Sequence, residues 1–362
     1  MTTSPRRGRF LSAWVVVLAA IYITVGFLAV RSIHDERRSA LAAQETRMSA
    51  TGLEAGLTPP DPIPATGDFV PVTVGLYLDG IETLSIRDSF WNATFYVWFR
   101  WQGDRALNPG ASFRLVDGRI ERRELMDERT APDGSHYQRF RVTARMTKFF
   151  NTTRVPLDSH MLNIYVEDGR LDVSRMRYVA GPDSTISSRV RVSGYRVTGF
   201  RTVIKPHTYR SAYGDPSVAP GTRATFTEFV VGVNIERSGP GVYLKVFIGL
   251  FAGMALALTS FALRAADAGP RFSMLAGAYF GAVANSYLAG SLIPSSGQFG
   301  LVEYVTFLGL FTIFLSLIAT VVSAFIWNTL DDRPLSRRFD RWTVVTIGLG
   351  YVAINLALPW FA

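Results

Sequence analysis

Five stretches of the chain carry no charged residue and are long enough to cross a bilayer: Leu11–Val30, Val246–Leu263, Phe272–Ile293, Tyr304–Trp327 and Thr343–Ala362. A helix needs about 20 residues to span roughly 30 Å of hydrocarbon. The second stretch is short, and Val242–Leu244 extend it if Lys245 snorkels to the headgroups. Between the first and second the pattern changes to period two, over Val72–Leu78, Thr94–Trp101, Gln138–Met146, Met161–Val166, Tyr195–Val203 and Thr225–Glu236. Turn residues separate these runs, with Asp133-Gly134 as a hairpin signal. About eight to ten strands between Phe69 and Arg237 predict an all-β sandwich. The fold class expected is therefore a membrane protein: an extracytoplasmic all-β sandwich followed by a four-helix transmembrane bundle, with an extra N-terminal transmembrane helix.

Boundaries follow from these shifts. Residues 1–31 form a signal-anchor helix, 32–65 a linker, 66–240 the sandwich and 241–362 the four-helix pore domain. The stretch His34–Met48 is charged and helix-compatible; a Pro/Gly-rich run, Gly56 to Pro64, follows it. The first apolar run exceeds the 7–15 residues of a secretory signal, and the nearest cleavage pattern, Ala40 to Ala43, lies well past it. An uncleaved anchor is the better expectation.

Charge adds orientation. Arg6, Arg7 and Arg9 precede the first span; Arg264 and Arg271 bound one short loop, and Arg333, Arg337, Arg338 and Arg341 crowd another. Pro294–Val302 has no Lys or Arg. The positive-inside bias then sets the N-terminus in the cytoplasm and the sandwich and C-terminus outside, as a multi-pass inner-membrane protein. The net charge of +9 is spread over both sides of the membrane, so nucleic acid is not an expected partner. With no cysteine in the chain the sandwich has no disulfide. The chain's four histidines, His34, His136, His160 and His207, lack metal-ligand spacing, and no phosphate loop, nucleophile elbow or catalytic pair stands out. No enzyme activity, cofactor or metal is expected.

Several strings resemble the pentameric ligand-gated ion channels (the Cys-loop receptor superfamily) in their bacterial branch, over about residues 66–362. Phe150-Asn151-Thr152-Thr153-Arg154-Val155-Pro156-Leu157-Asp158-Ser159-His160 is similar to the signature loop without its cysteines. Ile235-Glu236-Arg237 followed by Tyr243–Ile248 resembles the junction into the first pore-domain helix. Arg271 opening an apolar helix that ends at Ile293-Pro294 resembles the pore-lining helix and its exit loop, and Asp133-Gly134 leading through Arg139-Phe140 to Pro156 the strand pair before the signature loop. The chain departs from the family pattern at Gly249, where a proline is usual, and at Trp101-Gln102-Gly103-Asp104, where Trp-x-Asp is usual. Asp117–Glu128 also lacks the aromatic ligand-loop motif.

The resemblance implies a homopentamer in a lipid bilayer, gated by an unknown small ligand and passing ions through a pore lined by residues 272–293. That helix is rich in Gly, Ser and Asn. Small residues suit close helix packing; they also suit a wet stripe. At helical spacing the stripe reads Ser273, Gly277, Phe280, Ala284, Tyr287 or Leu288, and Ser291, with Phe280 as the hydrophobic gate. The mouth Asp267-Ala268-Gly269-Pro270-Arg271 looks more like the anion-selective branch, unless Arg271 packs behind the pore. Coupling residues implied are Asp88, Pro156, Asp158, Arg237 and Pro294, and the ligand would lie beneath Lys205–Arg223, against Tyr209 and Tyr213. A non-conducting membrane receptor of the same fold is the alternative, and a secondary transporter a distant third, since the spans lack charges.

Overall fold

The computed structural model describes residues 5–53, 58–64, 66–211, 216, 219, 221–239, 241–291 and 299–362. The chain divides into two compact units: a helical one of Met1–Ser39, Asn151–Asp158 and Gly239–Ala362, and a β unit of Ala40–Phe150 and Ser159–Ser238.

Among the described residues the β unit holds ten strands. β1 (Val70–Ser85) and β2 (Phe90–Trp101) form a hairpin. A short helix, α2 (Pro109–Ser112), leads into β3 (Phe113–Leu115), followed by β4 (Gly118–Thr130), β5 (His136–Thr147), β6 (Ser159–Asp168), β7 (Met176–Ala180), β8 (Thr185–Ile186), β9 (Tyr195–Tyr209) and β10 (Ala224–Arg237). One sheet runs β4-β5-β2-β1-β7, with β8 also on β1; the other runs β3-β6-β10-β9. Every period-two run of the sequence falls inside one of these strands. Alternation sends Val72, Val74, Leu76 and Leu78 of β1 and Phe95, Val97 and Phe99 of β2 into one core with Leu162, Ile164 and Val166 of β6 and Phe229, Val231 and Val233 of β10. Each such side chain, once fully buried, contributes about 1.5–3 kcal/mol. The two sheets thus make a sandwich. Asp133-Gly134 turns β4 into β5, Gly134 taking φ +80°. The charged stretch at Asp117–Glu128 becomes the edge strand β4, whose Arg and Glu side chains discourage pairing with another edge.

The N-terminal helix α1 (Pro5–Arg47) does not stop at the boundary drawn at residue 31; it continues through the charged stretch as one helix of 43 residues. Its last turns belong to the β unit, where Lys205 of β9 donates to the carbonyls of Thr46 (3.3 Å), Arg47 (3.2 Å) and Gly52 (2.8 Å). An ammonium there meets the orphan carbonyls and the negative dipole end.

The helical unit comprises the earlier part of α1 with α3 (Gly241–Thr259), α4 (Ala268–Gly290), α5 (Leu301–Asn328) and α6 (Arg333–Phe361). Four helices, Arg7–Arg47, Gly241–Ala262, Leu301–Asn328 and Arg333–Phe361, are long and apolar enough to cross a membrane. These fit a membrane protein with a β domain. The fifth expected span, α4, has the length (23 residues) but is less apolar than the others, because Gly, Ser, Asn and Tyr interrupt it. α1 packs into the bundle through Leu18, Tyr22, Ala29 and Ile33. Tyr22 donates its hydroxyl proton to Thr312 Oγ1 at 2.8 Å. Gly350 of α6 admits the Tyr22 ring, since a β-carbon there would stand 2.6 Å from it.

Candidate functional site

The faces of α4 are sharply divided. Arg271, Leu275, Ala278, Ala282, Asn285 and Ala289 recur at three- and four-residue intervals and are buried, packed between α3 and α5. Asn285 Oδ1 accepts from Leu250 N of α3 at 3.2 Å, and the small Ala side chains let the helices approach. The expected pore-lining residues Ser273, Gly277, Phe280, Ala284, Tyr287, Leu288 and Ser291 all fall on the opposite, exposed side. Phe280 is 70% exposed, Tyr287 87% and Leu288 60%. Ser273 and Ser291 turn their hydroxyls back onto the carbonyls of Gly269 (3.1 Å) and Leu288 (2.7 Å). Of the expected span 272–293, positions 292 and 293 lie outside the described residues.

Arg271 does not join that face. It is 1% exposed and donates from Nη2 to Asp340 Oδ2 of α6 at 2.7 Å, and from Nε to Leu263 O at 3.2 Å. Its charge is engaged within the bundle, so the anion-type mouth read from Pro270-Arg271 has no support at this residue.

The signature-like loop 151–158 groups with the helices rather than with the strands that flank it in sequence. Asn151 Oδ1 accepts from Thr153 N (3.0 Å) and Oγ1 (2.7 Å), folding the loop locally. Arg154, 6% exposed, donates to the Ala362 carbonyl at 2.9 Å, and Leu301 N at the start of α5 donates to Thr153 O at 2.7 Å. Gly300 lies so close that a β-carbon would stand 2.5 Å from that same oxygen. Leu157 packs against the helical core, the Val155–Pro156 peptide is cis, and Asp158 is 1% exposed. Of the coupling residues, Pro156 and Asp158 therefore belong to the helical unit, and Asp88 and Arg237 to the β unit. Asp88 sits in the β1–β2 turn, accepting from Ser85 Oγ at 2.6 Å; the Arg237 guanidinium lies 4.3 Å from the Tyr195 ring centroid. Pro294 and Tyr213 lie outside the described residues.

Tyr209, the other residue expected at a ligand site, is half-buried among polar groups. Its ring centroid lies 4.4 Å from that of His207, the two rings tilted at 55°, and its hydroxyl donates to Glu167 Oε1 at 3.1 Å. Around it is a polar group that no sequence spacing announces. Glu167 (β6) and Glu228 (β10) are register partners; Arg114 donates to Glu167 Oε1 from Nε (3.0 Å) and Nη2 (2.7 Å), and His207 Nδ1 lies 2.9 Å from Glu167 Oε2. The hydrogen bond to Glu167 raises the His207 pKa, while burial pushes the Glu228 carboxyl up to about 7. The visible signal was Glu228 itself, a carboxylate amid the apolar run of β10.

No protein-family model matches the chain, and no curated protein matches it.

Proposed function

We propose that the protein is a homopentameric ion channel of the pentameric ligand-gated type, in which an extracytoplasmic signal on the sandwich opens a pore lined by α4. The observation that carries this reading is the division of α4: one stripe committed to α3 and α5, the other uncovered and mixing Gly, Ser and Ala with Phe280. A lipid-facing helix gains nothing from that polarity, whereas five copies around an axis would form small polar rings at Ser273 and Ser291 and an apolar constriction at Phe280. A narrow apolar ring stops ions by dewetting. In this reading the N-terminus is cytoplasmic and the sandwich lies outside an inner membrane, following the short-loop arginines. The loop 151–158, folded onto the helices by Thr153, Arg154 and Leu157, is the segment through which a change in the sandwich reaches the pore.

A second reading has a specific observation behind it. Phe280, Tyr287 and Leu288 put three large side chains on the uncovered stripe, which suits a receptor of the same fold that assembles without conducting.

Single-protein current in planar bilayers, with the oligomeric state of the purified protein measured alongside, separates the two. The channel reading expects a pentamer in which Phe280→Ala passes current under conditions that keep wild type shut. A stable monomer refutes both. A pentamer silent in both forms favours the receptor.

A further inference from the structure

We propose that Glu167, His207 and Glu228 form a binding site for one divalent transition-metal ion of the Zn2+ type on the face of the four-stranded sheet turned away from the sandwich core. The inference concerns the β unit alone and does not rest on the channel reading.

The three residues each offer one ligand atom, and these atoms lie within 4.8 Å of one another. His207 Nδ1 stands 2.9 Å from Glu167 Oε2 and 3.9 Å from Glu228 Oε1. In a tetrahedral site with metal–ligand bonds of about 2.1 Å, ligand atoms sit about 3.4 Å apart. The two separations from His207 bracket that value, and the third, between the carboxylates, is within 4.8 Å, so side-chain adjustment makes room for an ion. One imidazole nitrogen with two carboxylate oxygens is a borderline donor set, suited to Zn2+ and unlike the all-oxygen shells of Ca2+ and Mg2+.

The state of Glu228 points to a missing ligand. It is 8% exposed, and among the described residues its carboxylate accepts no hydrogen bond; its one ion pair is the 3.9 Å approach to His207. Buried charges are ordinarily paired and hydrogen-bonded. An ion bound between the two carboxylates supplies the missing partner, any proton on Glu228 or on His207 Nδ1 passing to solvent as each becomes a ligand.

The surroundings are arranged as an outer shell. Arg114 and the Tyr209 hydroxyl hold Oε1 of Glu167, leaving Oε2 turned to the site, as outer partners orient ligating carboxylates. Lys205 and Arg114 add positive charge nearby and Asp117 negative, while Lys205 is engaged by three carbonyls of the α1 end. His207 is 34% exposed on its side chain, which leaves the fourth position open to water. An ion there ties β6, β9 and β10 together at the end of the sheet where β9 and β10 connect.

The test is titration of chelator-stripped, full-length protein in detergent with ZnCl2 by calorimetry, with CoCl2 as a spectroscopic probe. One Zn2+ per chain is expected, with Co2+ giving the intense visible bands of a four-coordinate site. Glu228→Gln and His207→Ala should each weaken binding by a factor of about 100 or more, since each removes a direct metal bond. Glu228→Gln keeps the side-chain shape and removes a buried charge, so it retains the fold, which circular dichroism verifies. Absence of saturable binding to wild type overturns the proposal. So does binding undiminished in both variants, which would put the metal on other groups such as His136 or His160.

Discussion

Arg271 of α4 and Asp340 of α6, 69 residues apart in sequence, form a buried ion pair at 2.7 Å. Burying either charge alone is costly, whereas the pair with its carbonyl contacts is compensated. Arg271→Ala, which strands Asp340, is expected to destabilise the helical unit by about 3–5 kcal/mol, and Arg271→Met with Asp340→Leu by far less. Thermal unfolding in detergent checks this. If the protein conducts, the double variant should also leave the reversal potential in asymmetric salt unchanged, since the pair lies on the buried side of α4.

Gly350 and Tyr22 form a knob and its socket between α6 and α1. Gly350→Ala is expected to cost about 1–3 kcal/mol by overpacking. Paired with Tyr22→Ala, which empties the socket, the second substitution should be nearly neutral. A double-mutant cycle on unfolding midpoints reads the coupling, and additive effects would show that α1 does not pack there.

Gly300 stands against the Thr153 carbonyl, so Gly300→Ala must push the loop 151–158 away from the start of α5. A loss of about 1–3 kcal/mol is expected, with faster amide exchange at Leu301, whose N–H bonds that carbonyl. Unchanged exchange at Leu301 would refute the contact.

Stability of the β unit should fall as pH rises. Glu228 and His207 both hold protons more tightly folded than unfolded, so each contributes fully below its ordinary pKa and loses that contribution as pH passes the raised folded one. For Glu228 the window runs from 4.5 to about 7, and the loss is on the order of 3 kcal/mol. His207 adds to it above 6.5. Arg114, Lys205, Asp117 and Tyr209 lie around the same group. Denaturant melts at pH 5 and pH 8 in chelator should show the drop in wild type and a smaller one in Glu228→Gln.

Lys205→Met removes two carbonyl contacts at the end of α1 and a third to Gly52 just beyond it. About 1 kcal/mol of local stability is expected to go. Hydrogen exchange should quicken across residues 44–52 and nowhere in α3–α6.

Much of the fold was legible because its cause is periodic. Val72 to Leu78 alternate because one side of β1 is core and the other is not, and Leu301–Asn328 reads as a span because apolarity persists around the whole helix. The face of α4 carrying Ser273, Gly277, Phe280, Ala284 and Ser291 follows from helical spacing, whereas its buried face, with Ala278, Ala282 and Ala289, was not singled out by the chain. What the chain did not announce depends on distant partners. Nothing near Arg271 indicated Asp340, so the chain alone left open whether its charge lines an opening or packs behind the helix. Glu167, His207 and Glu228 come from three strands and meet only through register, Glu228 opposite Glu167 and Phe226 opposite His207. His34–Met48 read as helix-compatible but inside a linker, because it has no apolar stripe to mark it as packed; Lys205 of the β unit holds its end.

The grouping of Asn151–Asp158 with the helices has a consequence for how such a protein is inherited and engineered. The chain crosses between its two units at four junctions, after Ser39, Phe150, Asp158 and Ser238. A recombination event or a chimera that exchanges the sandwich at the last junction alone carries a foreign eight-residue plug into a bundle shaped for Thr153, Arg154 and Leu157. Viable hybrids should therefore keep that octapeptide with its own α5 and Ala362, so that the smallest transferable module is the sandwich with a gap in its middle.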